Sequence, residues 1–159
     1  MISLEDIKTA HENISNYIYK TPQVQSIALS NIDQRVSLKL ESMQITGSFK
    51  LRGAVNKLLS LSDEQKKRGV IAVSTGNHGK GVAYAAKQLD IKSKIFMSDL
   101  VPMHRRNAIE VLGADVEIVG TNSDEADQYA RDYALKNNIE LVHPFDDLEI
   151  IAGQGTIGL

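Results

Sequence analysis

Leu4, Ile7, Ala10, Ile14 and Ile18 recur at helical spacing behind Ser3 and Asp6, a pair that reads as a capping box. The pattern predicts an amphipathic first helix, ended by Thr21-Pro22 because the residue before a proline avoids helical backbone. Val36-Ser37-Leu38-Lys39-Leu40 alternates as a strand does, and Phe49 to Leu59 reads as a second helix. Ser62 to Arg68 forms a short capped helix closed by Gly69, ahead of Val70-Ile71-Ala72-Val73, an apolar run suited to a buried parallel strand. The rhythm then repeats: helix 78–89, strand 94–97, helix 103–112 after Pro102, strand 116–119 after Gly113. A helix follows whose apolar stripe is Ala126, Tyr129, Ala130, Tyr133 and Ala134, and then a last strand at 140–142. Strands alternating with helices imply an α/β chain with a parallel sheet covered on both faces. Breaks in this rhythm place lobe boundaries near residues 61 and 146.

Composition narrows the function. Apolar residues make up 42% and charged residues 24% of the chain, as in folded soluble domains rather than disordered ones. Eighteen basic against twenty acidic residues leave a net charge of -2, so no cationic field exists to hold a nucleic-acid backbone. There is no cysteine, hence no disulfide and no thiolate metal site. The start is polar within five residues and offers no signal-peptide core, and no apolar run reaches membrane-spanning length. A cytoplasmic enzyme or binding domain is expected, with neither nucleic acid nor membrane as a partner.

Two polar turns carry candidate chemistry. In Thr46-Gly47-Ser48-Phe49-Lys50-Leu51-Arg52-Gly53 a lysine stands on the first turn of a helix. Most lysines decorate surfaces, and Lys50 can be read so. The alternative is a reactive amine: the positive end of a helix disfavours a cation, and only a neutral amine attacks an aldehyde. In Val73-Ser74-Thr75-Gly76-Asn77-His78-Gly79 a strand runs into a helix. It can be a tight turn with capping residues, or an anion cradle in which helix-start N–H groups, open glycines and the polar side chains Ser74, Thr75, Asn77 and His78 hold a carboxylate.

Together these segments resemble the fold-type II pyridoxal 5'-phosphate (PLP) enzymes, within them the threonine/serine dehydratases and serine racemases. KLESMQITGSFKLRGA is similar to that family's lysine motif, STGNHGKGVA to its asparagine loop and HPFDDLEIIAGQGTIGL to its return into the larger domain; STGNHG also resembles the hydroxyectoine-utilisation dehydratases. The resemblance implies a three-layer small α/β domain over 61–146, with 1–60 and 147–159 belonging to an incomplete larger PLP-binding domain. It implies PLP carried by Lys50, which also acts as base at the substrate α-carbon. Phe49 would line the cofactor pocket, Asn77 would bond the cofactor hydroxyl, and Ser74, Thr75, Gly76, Asn77 and His78 would form the substrate site. The expected reaction is β-elimination from a hydroxy amino acid, giving a 2-oxo acid and ammonia, in an enzyme that is a homo-oligomer.

Two departures qualify the match. Many dehydratases carry alanine at Thr75 and glutamine at Lys80, and the racemases carry serine at Thr75; Thr75 keeps a hydroxyl, so racemase activity stays open. The family's phosphate cup, pyridine-nitrogen partner and cation site lie beyond Leu159, so the 159-residue chain alone is expected to be weakly active or inactive. A non-catalytic amino-acid-binding or interaction module is the alternative from another class. Gly153-Gln154-Gly155-Thr156-Ile157-Gly158 matches a dinucleotide fingerprint, but no following βαβ unit exists, and its glycines are expected to begin a helix. Gly79-Lys80 lacks the flanking residues of a P-loop, and His11, His78, His104 and His143 show no metal-ligand spacing, so no metal is expected.

Overall fold

A computed structural model describes residues 1–159. Helix α1 (Leu4–Ile14) starts at the Ser3/Asp6 capping box and buries Ala10 and Ile14. It stops seven residues short of Thr21, because Asn13, Ser15 and Asn16 are poor helix formers and the chain tightens into turns from Ser15 N–H to Glu12 and from Tyr17 N–H to Ile14. Strand β1 (Gln23–Gln25) then pairs antiparallel with β2 (Ser37–Lys39), a hairpin of which only the second strand is predicted by alternation. Helix α2 (Lys50–Ser60) and the short α3 (Asp63–Arg68), boxed by Ser62 and Gln65, lead into the main sheet.

That sheet is wholly parallel, in the order β5-β4-β3-β6, from β3 (Val70–Val73), β4 (Ser93–Met97), β5 (Asp115–Ile118) and β6 (Glu140–Leu141). Its connections are α4 (Asn77–Gln88), α5 (Met103–Glu110) and α6 (Ser123–Asn137), and α7 (Leu148–Gly155) closes the chain. Alternation along β3 and β4 divides the sheet's faces. Val70, Ala72, Ile95 and Met97 pack towards α4 and α5, with Val82 and Ile109. Ile71 and Phe96 pack towards α6, where Tyr129 and Tyr133 meet the Phe96 ring edge-to-face at 5.3 Å. No helix is long and apolar enough to cross a membrane.

Helix α4 does not face solvent. Its outer side carries α2, and α2 in turn carries α7, so Leu51, Val55 and Leu58 share one core with Val82, Ile95 and Ile150 across the expected boundary near residue 61. Glycines permit these crossings. A β-carbon on Gly153 would stand 2.6 Å from the Gly53 α-carbon and 2.7 Å from the Arg52 carbonyl oxygen; one on Gly81 would stand 3.2 Å from the Lys50 carbonyl group. Gly153 and Gly155 thus lie at the end of α7, not at the start of a helix as the sequence suggests, and their role is close packing, Gly155 against Ile7.

Polar ties reinforce the stack. Arg52, 3% exposed, donates from Nε (2.9 Å) and Nη2 (2.8 Å) to Glu41, which also accepts from Thr21, while Nη1 donates to Thr156 at 3.2 Å. Burial alone would raise the Glu41 carboxyl pKa, but the Arg52 fork and Thr21 hydroxyl outweigh it and hold it below the usual value. Lys57 reaches Glu140 of β6 and Asp147, the N-cap of α7, each at 2.8 Å.

The backbone-to-backbone contact at Gly153 makes a specific prediction. Gly153→Ala should lower unfolding free energy by roughly 1–3 kcal/mol, because only backbone can yield, whereas Gly158→Ala, which meets nothing within 4 Å, should change it by less than about 0.5 kcal/mol. Urea denaturation of the two variants checks it.

Candidate functional site

In the sheet, β3, β4 and β5 advance in one direction, and α6 then carries the chain back to place β6 on the other side of β3. Strand order therefore reverses between β3 and β6, and the segments 74–79 and 142–147 leave their carboxyl ends at the position where open α/β sheets hold ligands.

The 74–79 turn is organised by Ser74. Its Oγ accepts from the N–H groups of Gly76 (3.2 Å) and Gly79 (2.8 Å), so the hydroxyl caps the start of α4 and keeps its own proton free to donate outward. As the first residues of α4, Asn77 and His78 have no intrahelical carbonyl for their N–H groups. Thr75 and Asn77 are exposed, and His78 is buried. At Gly76 a β-carbon would meet nothing within 4 Å, so space within the protein does not demand glycine. The glycine keeps open the volume in front of the turn.

Lys50 approaches from α2. Its backbone is gripped by Gly81 of α4 on one side and by Gln154 of α7 on the other, whose Nε2 donates to the Lys50 carbonyl at 3.4 Å. Lys50 Nζ donates to the Pro144 carbonyl at 2.9 Å and lies 5.3 Å from the centre of the Phe49 ring, which is 39% exposed. Loss of water lowers the Lys50 pKa below its ordinary 10.5. On the other wall, His78 Nε2 stands 2.9 Å from the Val142 carbonyl oxygen. Of the sequence-predicted residues, Lys50 and His78 thus meet on one segment, anchored two residues apart on it.

The carbonyls of Val142 and Pro144 were given no role from the sequence, since no side chain advertises a backbone acceptor. Gly81 was missed for a similar reason: its function is the absence of a β-carbon under Lys50. The chemistry of the set suits an aromatic aldehyde cofactor. A desolvated amine can condense with the aldehyde, the half-exposed Phe49 offers an apolar ring, and the space left open by Gly76 lies before helix-start N–H groups that favour a carboxylate. By contrast, a cleft of about 370 Å³ at the other end of the sheet, lined by Arg68, Lys92, Lys94 and Tyr133, has two of its three cations engaged: Arg68 by the Asn138 carbonyl, Lys94 by Asp115 and Glu117.

Known proteins resemble nearly the whole of this chain. The family model described as pyridoxal-phosphate dependent enzyme matches residues 14–159. The L-threonine dehydratase catabolic TdcB of Staphylococcus aureus is 48% identical over 100% of this chain and 46% of its own length. Among solved structures, serine racemase from Dictyostelium discoideum superposes with a TM-score of 0.90 at 36% identity, covering 98% of this chain and 51% of that one. The processed form of threonine deaminase isoform 2 from Solanum lycopersicum gives a TM-score of 0.89 at 34% identity, covering 99% of this chain and 45% of that one. The α/β architecture expected from the sequence is the fold these enzymes share, and the chain spans about half the length of the curated relatives it matches.

The desolvated amine sets a pH expectation. Because burial favours the neutral form, Lys50 should be half-deprotonated below pH 10.5 and react with amine reagents at a lower pH than exposed lysines do. Modification rates against pH, read peptide by peptide by mass spectrometry, check the order.

Proposed function

We propose that this chain, which belongs to the family of pyridoxal-phosphate dependent enzymes, supplies the lysine and the carboxylate-binding turn of an amino-acid ammonia-lyase of the threonine/serine dehydratase type. The observation that carries the proposal is the desolvated Lys50 amine, held on the Pro144 carbonyl at the strand-order reversal, beside a helix-start turn open at Gly76. PLP bound there supplies the electron sink that makes an amino-acid α-proton removable.

The residues divide the remaining work. Lys50 Nζ would hold the cofactor and, once released from it by the substrate amine, would accept the α-proton; its lowered pKa keeps the accepting neutral form accessible. Phe49 would line the cofactor pocket and Asn77 would bond the cofactor hydroxyl. Ser74, Thr75, Gly76, Asn77 and His78 hold the substrate carboxylate, with N–H groups and the free Ser74 proton as donors. Departure of the β-hydroxyl then leads, after hydrolysis, to a 2-oxo acid and ammonia. Residues 61–146 form the small domain, while 1–60 and 147–159 belong to the larger cofactor domain, which Arg52, Glu41 and Thr156 tie together. We place the enzyme in the cytoplasm as a homo-oligomer acting on a small hydroxy amino acid; the net charge of -2 argues against nucleic acid. A serine or threonine racemase is the second reading, favoured by the exposed Thr75 on the turn and by the likeness to the Dictyostelium discoideum racemase.

The full-length protein reconstituted with PLP should show the visible absorption of a lysine-linked cofactor and form 2-oxo acid from threonine or serine. Lys50→Ala should abolish the band and lower turnover by about 10²–10⁴-fold or more. A band that survives Lys50→Ala contradicts the assignment, and α-proton exchange without 2-oxo acid marks a racemase. Gly76→Ala should leave stability within about 0.5 kcal/mol yet raise the amino-acid KM about tenfold, since the added methyl enters only the ligand's space. Paired denaturation and initial-rate measurements check this.

A further inference from the structure

His78 is 5% exposed at the second position of α4, and its ring makes a single hydrogen bond. Nε2 lies 2.9 Å from the Val142 carbonyl oxygen, while Nδ1 is buried without a partner. A carbonyl oxygen has no proton to give, so Nε2 must bear the hydrogen and donate it. A second proton on Nδ1 would create a buried cation with nothing to accept from it. Burial foremost, then Lys50 on α2 and His143 on the segment after β6, push the His78 pKa down to about 4 against the bond to Val142, which works to raise it. The positive end of α4 acts in the same direction as burial.

We propose that His78 is a positioning residue: its neutral imidazole, donating from Nε2 to the Val142 carbonyl, latches the first turn of α4 to the end of β6. The N–H groups of that turn are thereby held towards the substrate carboxylate, and the ring itself neither binds the carboxylate nor exchanges protons with substrate. The sequence motif offers the His78 side chain as a carboxylate ligand; the geometry turns the ring away and leaves that task to the residue's backbone N–H. Naming the carboxylate rests on the proposed function, whereas the latch rests on the ring's contacts alone.

The test uses the full-length protein as wild type, His78→Gln and His78→Leu. Glutamine keeps a donor in reach of the Val142 carbonyl, and leucine keeps bulk without one. Should the leucine variant not fold, His78→Asn, polar but too short to reach, replaces it. Ring ¹⁵N NMR of the histidine-labelled wild type, midway between pH 4 and pH 6.5, should show a neutral ring with hydrogen on Nε2, the signal being identified by its loss in the variants. Hydrogen exchange of the peptide spanning 74–82 should quicken about tenfold in the leucine or asparagine variant and return towards wild type with glutamine. The amino-acid KM should follow the same order, rising about tenfold without the donor while kcat changes less.

A charged ring at that pH, hydrogen on Nδ1, or glutamine as deficient as leucine overturns the latch, as does a leucine variant with wild-type exchange and KM. Were the wild type to show no amino-acid turnover, the proposed function would fail, and the ring signal and exchange rates would still decide the latch.

Discussion

Helix α2 has no slack on either side. Gly81 of α4 lies beneath the Lys50 backbone, and Gly153 of α7 has no room for a β-carbon against the Gly53 α-carbon, so α2 is pinned at the separation that bare backbone allows. Arg52 and Lys57 then fix its rotation, the first through the buried bond to Glu41 and the second through Glu140 and Asp147. Such contacts yield little before they cost stability, because close-packed interiors cannot absorb an added methyl. The role proposed for Lys50 needs that rigidity: an error of an ångström in the position of a catalytic group is enough to slow a reaction about a hundredfold.

The same arrangement governs the electrostatics. Lys50 and His78 occupy the starts of α2 and α4, where helix N–H groups already make the field positive, and both side chains lose water. Each is driven towards its neutral form, which suits the proton-accepting role proposed for Lys50 and the donor role proposed for His78. The positive field is not wasted, since it faces the space beside Gly76 where an anion would enter. Two backbone carbonyls, those of Val142 and Pro144, accept from these side chains and give the site its third wall.

Much of this was legible in the chain. Capping boxes at Ser3 and Ser62, the apolar run at 70–73 and the stripe through Ala126 and Ala130 are local signals, and each marks an element close to where the structure has it. The motifs around Lys50 and Asn77 pointed to the family. Hidden from sequence were features that depend on partners distant in the chain. Strand β1 is three residues with no alternation to reveal it, and its pairing with β2 is what makes it a strand. The end of α1 was misjudged by trusting Pro22 over the weaker helix formers that precede it. The glycines at 153 and 155 imitate a nucleotide fingerprint because close helix packing and close ligand approach make the same demand, the lack of a β-carbon. The orientation of the His78 ring could not be read at all, since Val142 lies sixty-four residues on.

The account stands on the identity of one amine, and chemical trapping tests that identity directly. Borohydride reduction of the full-length protein with PLP fixes the cofactor to whichever lysine holds it, and peptide mapping by mass spectrometry names the residue. The account predicts the pyridoxyl group on the peptide containing Lys50, at close to one per chain. Its appearance on any other lysine, with Lys50 unmodified, would contradict it.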